Sequence, residues 1–426
     1  MLEKLKYEGY KFKIDSRKLE KGDVFLCLKG EKTDGHNYID DALSKGASYI
    51  IVDKKINDFS NKKIIKVDNV LTEMLSSSSK IINQKSKIKI GITGSTGKTT
   101  TKEFLLYLLL PFFKTFRNEL NMNTEIGIPL CILNDYNDEE IVILEEGLQK
   151  IGDLEYLSNY FNYDVAIITN VGSSHLKYLN TIETVAKEKM KITNKMEKGL
   201  LIINGDYPIL KDLAPPQLNI LTFGKNKNNN AVLENYEYNE NFTTTVYAKL
   251  FDEDAMFTFN GYWSEGQILD LLSCLLFLRY LDLAIEPYYL SNIKVPPDRF
   301  QIIKRNNLTI INDSYNASYD SFKSAFESIK KMNIFPKTII MGEIKELGNY
   351  SEEYHKKVIE EASKTFDVIY FYDPHKQFSY LNDPKLEFFE DLSNIAKFIQ
   401  NSKGLLYIKA SNATGINNYI KERGLF

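Results

Sequence analysis

Tryptophan and cysteine are scarce in this chain of 426 residues, and long apolar runs are missing from it. The three cysteines, Cys27, Cys131 and Cys274, lie far apart in apolar runs without metal-ligand spacing, so we expect reduced core residues of a cytosolic protein. No stretch approaches the roughly 18 apolar residues of a membrane span. Residues 1–15 also lack the apolar core of a signal peptide. We therefore expect a soluble, cytoplasmic protein without membrane insertion.

Neither sign of charge dominates the chain. The formal net charge is −3, and acidic and basic residues are interspersed, which gives no indication of a nucleic-acid partner. The length predicts about two to four domains. A hydrophobic content of 43% is enough for several cores.

Residues 88–101, IKIGITGSTGKTTT, form the most informative stretch. A β-branched run ends in a glycine-rich turn, whose backbone N–H groups can point at phosphate oxygens, and a helix-compatible segment follows. Lys98 adds a positive charge there, and Thr99 can offer its hydroxyl to Mg²⁺. The common P-loop pattern has glycine at the position of Ile92, so an ordinary strand–helix turn is the alternative; the order of strand, loop, Lys-Thr pair and helix disfavours it. The predicted phosphate-binding residues are Gly94, Ser95, Thr96, Gly97, Lys98, Thr99 and Thr100.

Three blocks of alternating strands and helices predict an α/β protein with domains at residues 1–83, 84–296 and 297–426. In the first block, the serine-rich residues 76–79 belong either to a linker or to a helix. In the second, the runs around the glycine-rich turn predict a mainly parallel sheet, and residues 232–262 alternate like antiparallel strands.

Chemically active side chains follow two strands of the second block. Glu145 ends an apolar strand, where a carboxylate beside a P-loop can hold Mg²⁺ directly or through water. Glu146 competes for that role, and a solvated strand end is the alternative. His175 follows another strand at the same predicted sheet edge, although a lone histidine is as often structural. Lys187 and Lys189 lie on a helix-like segment, where a solvated basic face is the plainer interpretation.

Taken together, the motifs resemble the Mur ligase family over nearly the whole chain. In chain order the matching segments are Asp15-Ser16-Arg17, Lys29-Gly30, Asp34-Gly35-His36, residues 93–100, residues 121–129 (NMNTEIGIP), Leu144-Glu145-Glu146-Gly147, Thr169-Asn170-Val171-Gly172 with His175-Leu176, residues 312–317 (NDSYNA), and residues 342–348 (GEIKELG) with Ser351 and His355. The last two resemble the branch of the family that adds D-alanyl-D-alanine to a UDP-N-acetylmuramoyl tripeptide.

This resemblance implies a small N-terminal α/β domain for the UDP substrate, a central P-loop domain with a parallel sheet that binds ATP, and a C-terminal Rossmann-like α/β domain. It also implies amide-bond formation through an acyl phosphate, which requires ATP and Mg²⁺. The expected small-molecule substrates are the UDP-muramoyl peptide and D-alanyl-D-alanine, and we expect a monomer.

The resemblance further assigns roles to individual residues. The expected catalytic residues are Lys98, Glu145, His175 and Lys189. The expected Mg²⁺ ligands are Thr99, Glu145, His175 and a carbamylated Lys189. Beyond the loop, the expected ATP-binding residues are Arg299 at the phosphates, Asp313 at the ribose, and Asn316. The expected substrate-binding residues are Asp15, Ser16, Arg17, Asn121, Asn123, Thr124 and Glu125.

Four segments depart from the family pattern. Met190-Lys191-Ile192 stands where the family has G-E-I, Tyr319 replaces a proline, and Ala410 replaces a glycine. Residues 261–267, GYWSEGQ, lack the His-Asn pair that touches adenine in the family, which leaves two possibilities open: the base stacks on Trp263, or the use of nucleotide is altered. Two alternatives therefore stay open: a Mur-like amide ligase that joins a different amino acid or peptide to a different carboxylate, and a non-catalytic nucleotide-binding paralogue.

Overall fold

Three separate β-sheets form the frame of the protein. The structure, a computed structural model, describes residues 1–30, 32–54, 63–119, 121–174 and 176–426. Helices cover the sheets, and parallel strand pairs predominate. The expected α/β fold with three domains is confirmed.

The N-terminal sheet is parallel throughout, in the order β1-β2-β3-β4. Its strands are β1 (Phe12–Lys13), β2 (Val24–Leu26), β3 (Tyr49–Val52) and β4 (Ile64–Lys66). The helices of this part of the chain are α1 (Leu2–Tyr7), α2 (Ile39–Ser44) and α3 (Val70–Lys85).

Helix α3 contains the serine-rich stretch for which the sequence left a linker or a helix open. Asn69 caps the helix, its side-chain oxygen accepting the N–H of Thr72 at 2.8 Å. Ser77 and Ser78 are buried, and the Ser78 hydroxyl donates to the carbonyl of Pro129 at 3.1 Å. The helical interpretation is therefore confirmed, and this helix joins the N-terminal part of the chain to the central part.

The central sheet has nine strands, in the order β13-β12-β11-β10-β9-β8-β5-β7-β6. These strands are β5 (Ile88–Thr93), β6 (Thr115–Arg117), β7 (Ile141–Glu145), β8 (Val165–Ile168), β9 (Leu200–Asn204), β10 (Asn219–Gly224), β11 (Ala231–Tyr238), β12 (Thr243–Leu250) and β13 (Glu253–Asn260). Along the sheet, every neighbouring pair among β11, β10, β9, β8, β5, β7 and β6 is parallel. Strand β12 pairs antiparallel with both β11 and β13, as predicted for residues 232–262. The helices of this part are α4 (Lys98–Leu109), α5 (Gly127–Asp135), α6 (Asp153–Ser158), α7 (Leu176–Leu179), α8 (Ile182–Met190), α9 (Pro208–Leu213), α10 (Glu265–Tyr280) and α11 (Pro287–Ser291).

The glycine-rich loop leaves the middle of this sheet, because β5 lies between β8 and β7. The register pairs Ile92 of β5 with Glu145 of β7, and Thr93 with Ile168 of β8. The carboxyl ends of these three strands therefore meet at one edge, where open parallel sheets bind ligands.

The C-terminal sheet has six strands, in the order β14-β15-β19-β16-β17-β18. Its strands are β14 (Gln301–Arg305), β15 (Leu308–Asn312), β16 (Lys337–Gly342), β17 (Val368–Tyr372), β18 (Leu386–Phe389) and β19 (Gly404–Lys409). Only β14 pairs antiparallel within this fully described sheet. The helices around it are α12 (Tyr319–Lys330), α13 (Ser351–Ser363), α14 (Asn394–Asn401) and α15 (Ile416–Glu422).

The core lies on both faces of the two larger sheets. Strands such as β9 are buried along their whole length, which explains why they read as continuous apolar runs. The three cysteines are buried and free of disulfides, as expected. In the part of the chain that the structure describes, no helix combines the length and apolarity needed to cross a bilayer.

Candidate active site

Residues of the central and C-terminal domains line a cleft of about 1550 Å³. Its volume exceeds the roughly 300–1,000 Å³ typical of a pocket for one small ligand, so more than one substrate can enter it. The predicted site residues that line it are Ser95, Thr96, Gly97, Lys98, Thr99, Thr100, Asn121, Asn123, Thr124, Glu125, Glu145, Arg299, Asp313 and Asn316.

Two glycines of the loop have no room for a side chain. A Cβ on Gly97, where φ is +82°, would lie 2.3 Å from Oδ1 of Asp270. A Cβ on Gly94 would lie 1.8 Å from Oγ1 of Thr169. Gly97 directly precedes α4, so the positive end of the helix dipole faces the loop.

Residues that follow β8 hold the loop from the side. Oδ1 of Asn170 accepts the N–H groups of Ser95, at 3.0 Å, and Thr96, at 2.9 Å. The Asn170 amide donates in turn to the Thr96 hydroxyl, and the Thr169 hydroxyl donates to the Thr96 carbonyl. The loop backbone is thus fixed by side chains of a neighbouring strand end.

Lys98 lies in the first turn of α4, over the loop. Its Nζ donates to the carbonyl of Gly94 at 2.7 Å. Burial lowers the pKa of Lys98, the carboxylate of Glu145 opposes this, and the charge of Arg299 lowers it further. The Lys98 amine is therefore close to the carboxylate of Glu145 and to the guanidinium of Arg299, which belongs to the other domain.

Glu145, at the end of β7, is almost fully buried and is held from two sides. The Asn123 amide donates to its Oε1 at 2.9 Å, and Nζ of Lys102 lies 3.1 Å from its Oε2. Burial alone raises the pKa of Glu145, but Lys102 and Lys98 outweigh it, so the pKa lies below its ordinary value. Glu145 is therefore a carboxylate at neutral pH. Its Oε2 faces the Lys102 ammonium without accepting a well-aligned hydrogen bond from any described residue.

Glu146, which competed with Glu145 in the sequence, does not line the cleft. It is fully buried, and the hydroxyl of Tyr163 donates to its Oε1. Burial raises the pKa of Glu146 to about 8. Its carboxyl group is therefore neutral at pH 7, and only Glu145 of the two presents a charge to the cleft.

Lys187 and Lys189 have opposite surroundings. Lys187 is exposed and pairs with Glu183 at 2.5 Å, as a solvated basic face requires. Lys189 is buried, so that interpretation is wrong for it, and it has no hydrogen-bond or ion-pair partner in the described part of the chain. Burial, and then the charge of Lys98, hold the pKa of Lys189 well below its ordinary value. His175, the remaining predicted catalytic residue, lies outside the described residues.

Arg299 crosses from the C-terminal domain to the loop. Its guanidinium donates to the Thr99 hydroxyl at 3.2 Å. The same group lies 3.8 Å from the ring centroid of Tyr315, a stacking arrangement that holds a planar guanidinium in place.

Asp313 lines the cleft, but its carboxylate is engaged within the C-terminal domain. Oδ2 accepts from Nζ of Lys409 at 2.6 Å and from the Tyr407 hydroxyl at 2.8 Å. Oδ1 accepts the N–H of Phe300 at 3.1 Å. Lys409 also donates to the carbonyl of Asn316 at 3.1 Å, so one buried lysine ties both predicted ATP-binding residues together.

Three predicted substrate-binding residues lie outside the cleft, in the N-terminal domain. Asp15 caps the short 3₁₀ helix Ser16–Lys18 and pairs with the Arg17 guanidinium at 2.8 Å. The Arg17 side chain is 86% exposed, whereas Ser16 is buried. The structure therefore separates this group from the other predicted substrate residues, which line the cleft.

Of the two possibilities for the segment without the His-Asn pair, stacking of a nucleotide base on Trp263 is wrong. Trp263 is buried, and its ring stacks on two phenylalanine rings. The distance between ring centroids is 5.1 Å to Phe104 and 4.6 Å to Phe259. Its Nε1 donates to the carbonyl of Asn260 at 3.1 Å. The side chain is a core residue beneath α10 and cannot reach a ligand.

The residues after Trp263 face the cleft instead. Ser264 and Gln267 form a capping box at the start of α10. The Gln267 amide also donates to the carbonyl of Arg299 at 2.8 Å. The segment without the His-Asn pair therefore caps a helix and supports the arginine that reaches the loop.

Sequence patterns did not identify three ionisable residues of this region. Lys102 pairs with the strand-end carboxylate, Asp270 lies beneath the loop at Gly97, and Asp320 reaches from α12 to the segment after β8. Burial raises the pKa of Asp270 to about 8. A carboxyl group within an otherwise apolar stretch of α10 was the available signal for Asp270, whereas no local pattern distinguished Lys102 or Asp320.

Three stretches of the chain match family models. They are described as Mur ligase family, catalytic domain, over residues 10–87; Mur ligase middle domain, over residues 92–260; and Mur ligase, glutamate ligase domain, over residues 298–411.

The chain is also similar to curated UDP-N-acetylmuramoyl-tripeptide–D-alanyl-D-alanine ligases. That of Bacillus subtilis (strain 168) is 32% identical over 349 residues, which cover 80% of this chain and 75% of that protein. That of Rickettsia prowazekii (strain Madrid E) is 33% identical over 362 residues, 81% of this chain and 78% of that protein. Among solved structures, MurF ligase from Thermotoga maritima in complex with ADP matches with a TM-score of 0.90 and 33% identity, over 98% of both chains.

Proposed function

Because the chain belongs to the Mur ligase family, we propose that it is an ATP-dependent ligase that adds D-alanyl-D-alanine to a UDP-N-acetylmuramoyl tripeptide. The observation that carries this proposal is the cleft, where the loop and Glu145 of the central domain face Arg299 and Asn316 of the C-terminal domain. The activity is the one for which the Bacillus and Rickettsia relatives are named.

The reaction joins a carboxylate to an amine. Since a carboxylate is a poor acyl donor, one of its oxygens first takes the γ-phosphoryl group of ATP, which gives an acyl phosphate and ADP. The amine of the incoming dipeptide then attacks the acyl carbon, and the tetrahedral intermediate releases phosphate as the amide forms and the nitrogen loses a proton. Such a reaction needs groups that orient phosphates and stabilise negative charge, rather than a covalent nucleophile on the protein.

The loop, Lys98 and Arg299 are proposed to bind the phosphates of ATP. The backbone N–H groups at the start of α4 and the two cationic side chains supply donors and positive charge from two domains. The Thermotoga relative binds ADP, which supports nucleotide binding here. Asp313 is proposed to contact the ribose, and Asn316 is proposed as a further ATP-binding residue. Asp313 already accepts three hydrogen bonds within the C-terminal domain, so the ATP kinetics of Asp313→Asn are read beside its free energy of unfolding, because the amide removes the charge that pairs with Lys409.

Thr99, Glu145 and Lys189 are proposed to hold Mg²⁺, together with His175, which is outside the described residues. The donors fit this ion, because Glu145 is a carboxylate whose Oε2 lacks an aligned hydrogen bond and the Thr99 hydroxyl faces the cleft. Among the described ranges, no three His, Cys, Asp or Glu side chains cluster as a metal site. A carbamate on Lys189 would add the anionic ligand that acidic residues do not supply. When bound, Mg²⁺ neutralises phosphate charge.

Asp15, Ser16 and Arg17 are proposed to hold the UDP part of the substrate, and Asn121, Asn123, Thr124 and Glu125 its peptide end. The first domain boundary is proposed at residues 83–84, within the last turn of α3 (Val70–Lys85). The later boundary stays at residues 296–297. A monomeric state and a cytoplasmic location remain predictions.

Phosphate release tests the proposal. Wild-type protein with ATP, Mg²⁺ and UDP-muramoyl tripeptide is given a panel of amino acids and dipeptides, and D-alanyl-D-alanine is expected to give the fastest release. Lys98→Ala is the control and should release no phosphate above background, with unchanged circular dichroism. Preference for another amine would establish the different-substrate alternative, and no release with any amine would favour a non-catalytic paralogue.

A further inference from the structure

Asp320 of the C-terminal domain binds a loop of the central domain. It lies in the first turn of α12, and its Oδ2 accepts both the N–H of Ser173, at 2.6 Å, and the Ser173 hydroxyl, at 2.8 Å. Ser173 is buried and Asp320 is half-buried, so these two hydrogen bonds to one carboxylate oxygen are partly shielded from water. A hydrogen bond to a charged acceptor in such a place is stronger than one between neutral groups.

Two neighbouring features hold Asp320 in position for this contact. Ser318 and Ser321 form a capping box that fixes the start of α12 and hence the position of its first turn. On the other side, a Cβ on Gly172 would lie 2.3 Å from Oδ2 of Asp320. The absence of a side chain at Gly172 therefore permits the approach of the carboxylate.

The loop that Asp320 binds also supports the glycine-rich loop. The N–H of Gly172 donates to the Ser95 hydroxyl at 2.9 Å, and the Ser174 hydroxyl donates to the Ser95 carbonyl at 3.3 Å. Two residues earlier, Asn170 accepts the N–H groups of Ser95 and Thr96. Residues 170–174 thus touch the phosphate-binding loop on one side and the C-terminal domain on the other.

We propose that Asp320 is a positioning residue for the ATP-dependent reaction, which sets the docking of the C-terminal domain through Ser173 and thereby holds residues 170–174 against Ser95. This role rests on the proposed function, because its benefit is the alignment of the loop with Arg299 across the cleft. In this role Asp320 acts through Ser173. It keeps the two halves of the phosphate site in register, as a domain-closing contact does in enzymes that assemble a site between domains.

Hydrogen–deuterium exchange of the full chain tests the contact, and ATP kinetics test its role. In Asp320→Ala the Ser173 amide should exchange at least about tenfold faster, because it loses a hydrogen bond to a charged acceptor. The KM for ATP should rise, kcat should fall, or both. Asp320→Asn keeps one acceptor oxygen and should recover part of both effects. Asp391→Ala is the matched control, since Asp391 accepts the N–H of Ser393 at 2.8 Å within the C-terminal domain, and it should leave both measurements unchanged.

Unchanged exchange at Ser173 in Asp320→Ala would overturn the contact. Faster exchange with wild-type ATP kinetics would overturn the positioning role. If Asp320→Ala does not fold, Gly172→Ala displaces the carboxylate from the opposite side and should give the same two effects; normal exchange and kinetics in that variant would overturn the proposal. A wild-type protein that releases no phosphate with any amine contradicts the proposed function and with it the catalytic role of Asp320, whereas the exchange result still decides the contact.

Discussion

The guanidinium of Arg299 donates to the hydroxyl of Thr99 at 3.2 Å, although 200 residues separate them in sequence. Thr99 lies in the first turn of α4, directly after the glycine-rich loop, and Arg299 precedes the first strand of the C-terminal sheet. The stacking of Arg299 on Tyr315 fixes the guanidinium from the C-terminal side. The proposed phosphate site is therefore built from two domains in this arrangement, with a cation from the second domain at the loop of the first.

Arg299→Ala should raise the KM for ATP, lower kcat, or both, by roughly ten- to a hundredfold in kcat/KM, because it removes a charged donor at the phosphates. Arg299→Lys should recover only part of this loss, since an ammonium cannot stack and fork as a guanidinium does. Steady-state phosphate release at varied ATP concentration gives both constants.

Arg305→Ala provides the control, because Arg305 is an exposed arginine at the end of β14 that does not line the cleft. Its constants should match the wild type. ATP kinetics that stay normal in Arg299→Ala would show that the contact with Thr99 is not part of the working site.

Glu145→Gln and Glu146→Gln should separate two adjacent carboxyl groups. At pH 7, Glu145→Gln replaces a cleft carboxylate by a neutral amide and should lower kcat by about two orders of magnitude or more. Glu146→Gln should be close to wild type, because the buried Glu146 is already neutral and an amide oxygen can still accept from Tyr163. Phosphate release at saturating substrates measures both, and the reverse ranking would mean that Glu146 carries the role assigned to Glu145.

Lys102→Met should destabilise the protein by about 3–5 kcal/mol, because it strands the buried Glu145 carboxylate. The double variant Lys102→Met/Glu145→Gln removes both charges and should recover most of that loss. Lys187→Met removes a lysine from an exposed ion pair and should have little effect. Urea unfolding at pH 7 gives the differences in the free energy of unfolding. A Lys102→Met protein as stable as Lys187→Met would rule out strong coupling between Lys102 and Glu145.

The stability of the protein should depend on pH through Asp270. Burial raises its pKa from an ordinary value of 3.8 to about 8. Between these values the folded chain keeps a proton that the unfolded chain has lost. This contribution to stability is therefore present in full below about pH 4 and is lost as the pH rises through 8, with a slope of at most about 1.4 kcal/mol per pH unit.

Asp270→Asn removes this titration while it keeps the size of the side chain. Measured by urea unfolding at pH 5.5 and 7.5, the wild type should lose more stability over that interval than the variant does. The neighbouring Cys274 does not interfere, since burial holds the pKa of its thiol well above the ordinary value. Equal losses in the two proteins would mean that Asp270 ionises normally in the folded chain.

The sequence predicted the central sheet and the edge at which its site lies, because buried parallel strands read as apolar runs and the loop follows one of them. The strand pattern alone could not decide between Glu145 and Glu146, and only the family resemblance favoured Glu145. Successive residues of a strand face opposite sides, so the choice depends on a register of one residue. The pairing of Ile92 with Glu145 sets that register, and pairing across a sheet is not encoded locally.

Trp263 shows a second limit of prediction from the sequence. The sequence placed an aromatic residue near the predicted base site but did not give the direction of its ring. That direction is set by Phe104 on α4 and Phe259 on β13, which come from distant parts of the chain and enclose it. Asp320 was missed for the same reason, because its partner Ser173 lies 147 residues away in another domain.

Lys189 should carry a carbamate. A neutral amine adds CO₂ and becomes an anion after loss of a proton, and burial together with the charge of Lys98 favours the neutral amine here. Lys189→Ala should therefore be nearly inactive, and added short-chain carboxylates should partly restore phosphate release by taking the place of the carbamate. Lys187→Ala, two residues away on the exposed face of α8, should behave like the wild type.

Isotope-labelled bicarbonate provides a readout that does not depend on turnover. The wild type and Lys187→Ala should each show a carbamate carbon resonance that Lys189→Ala lacks, and the signal should weaken as the pH falls, because protonation of the amine competes with addition of CO₂. The alternative is a buried lysine that serves only as a cation near the phosphates. In that case a crystal with bound nucleotide and Mg²⁺ would show an unmodified Lys189 amine, and carboxylates would fail to rescue Lys189→Ala.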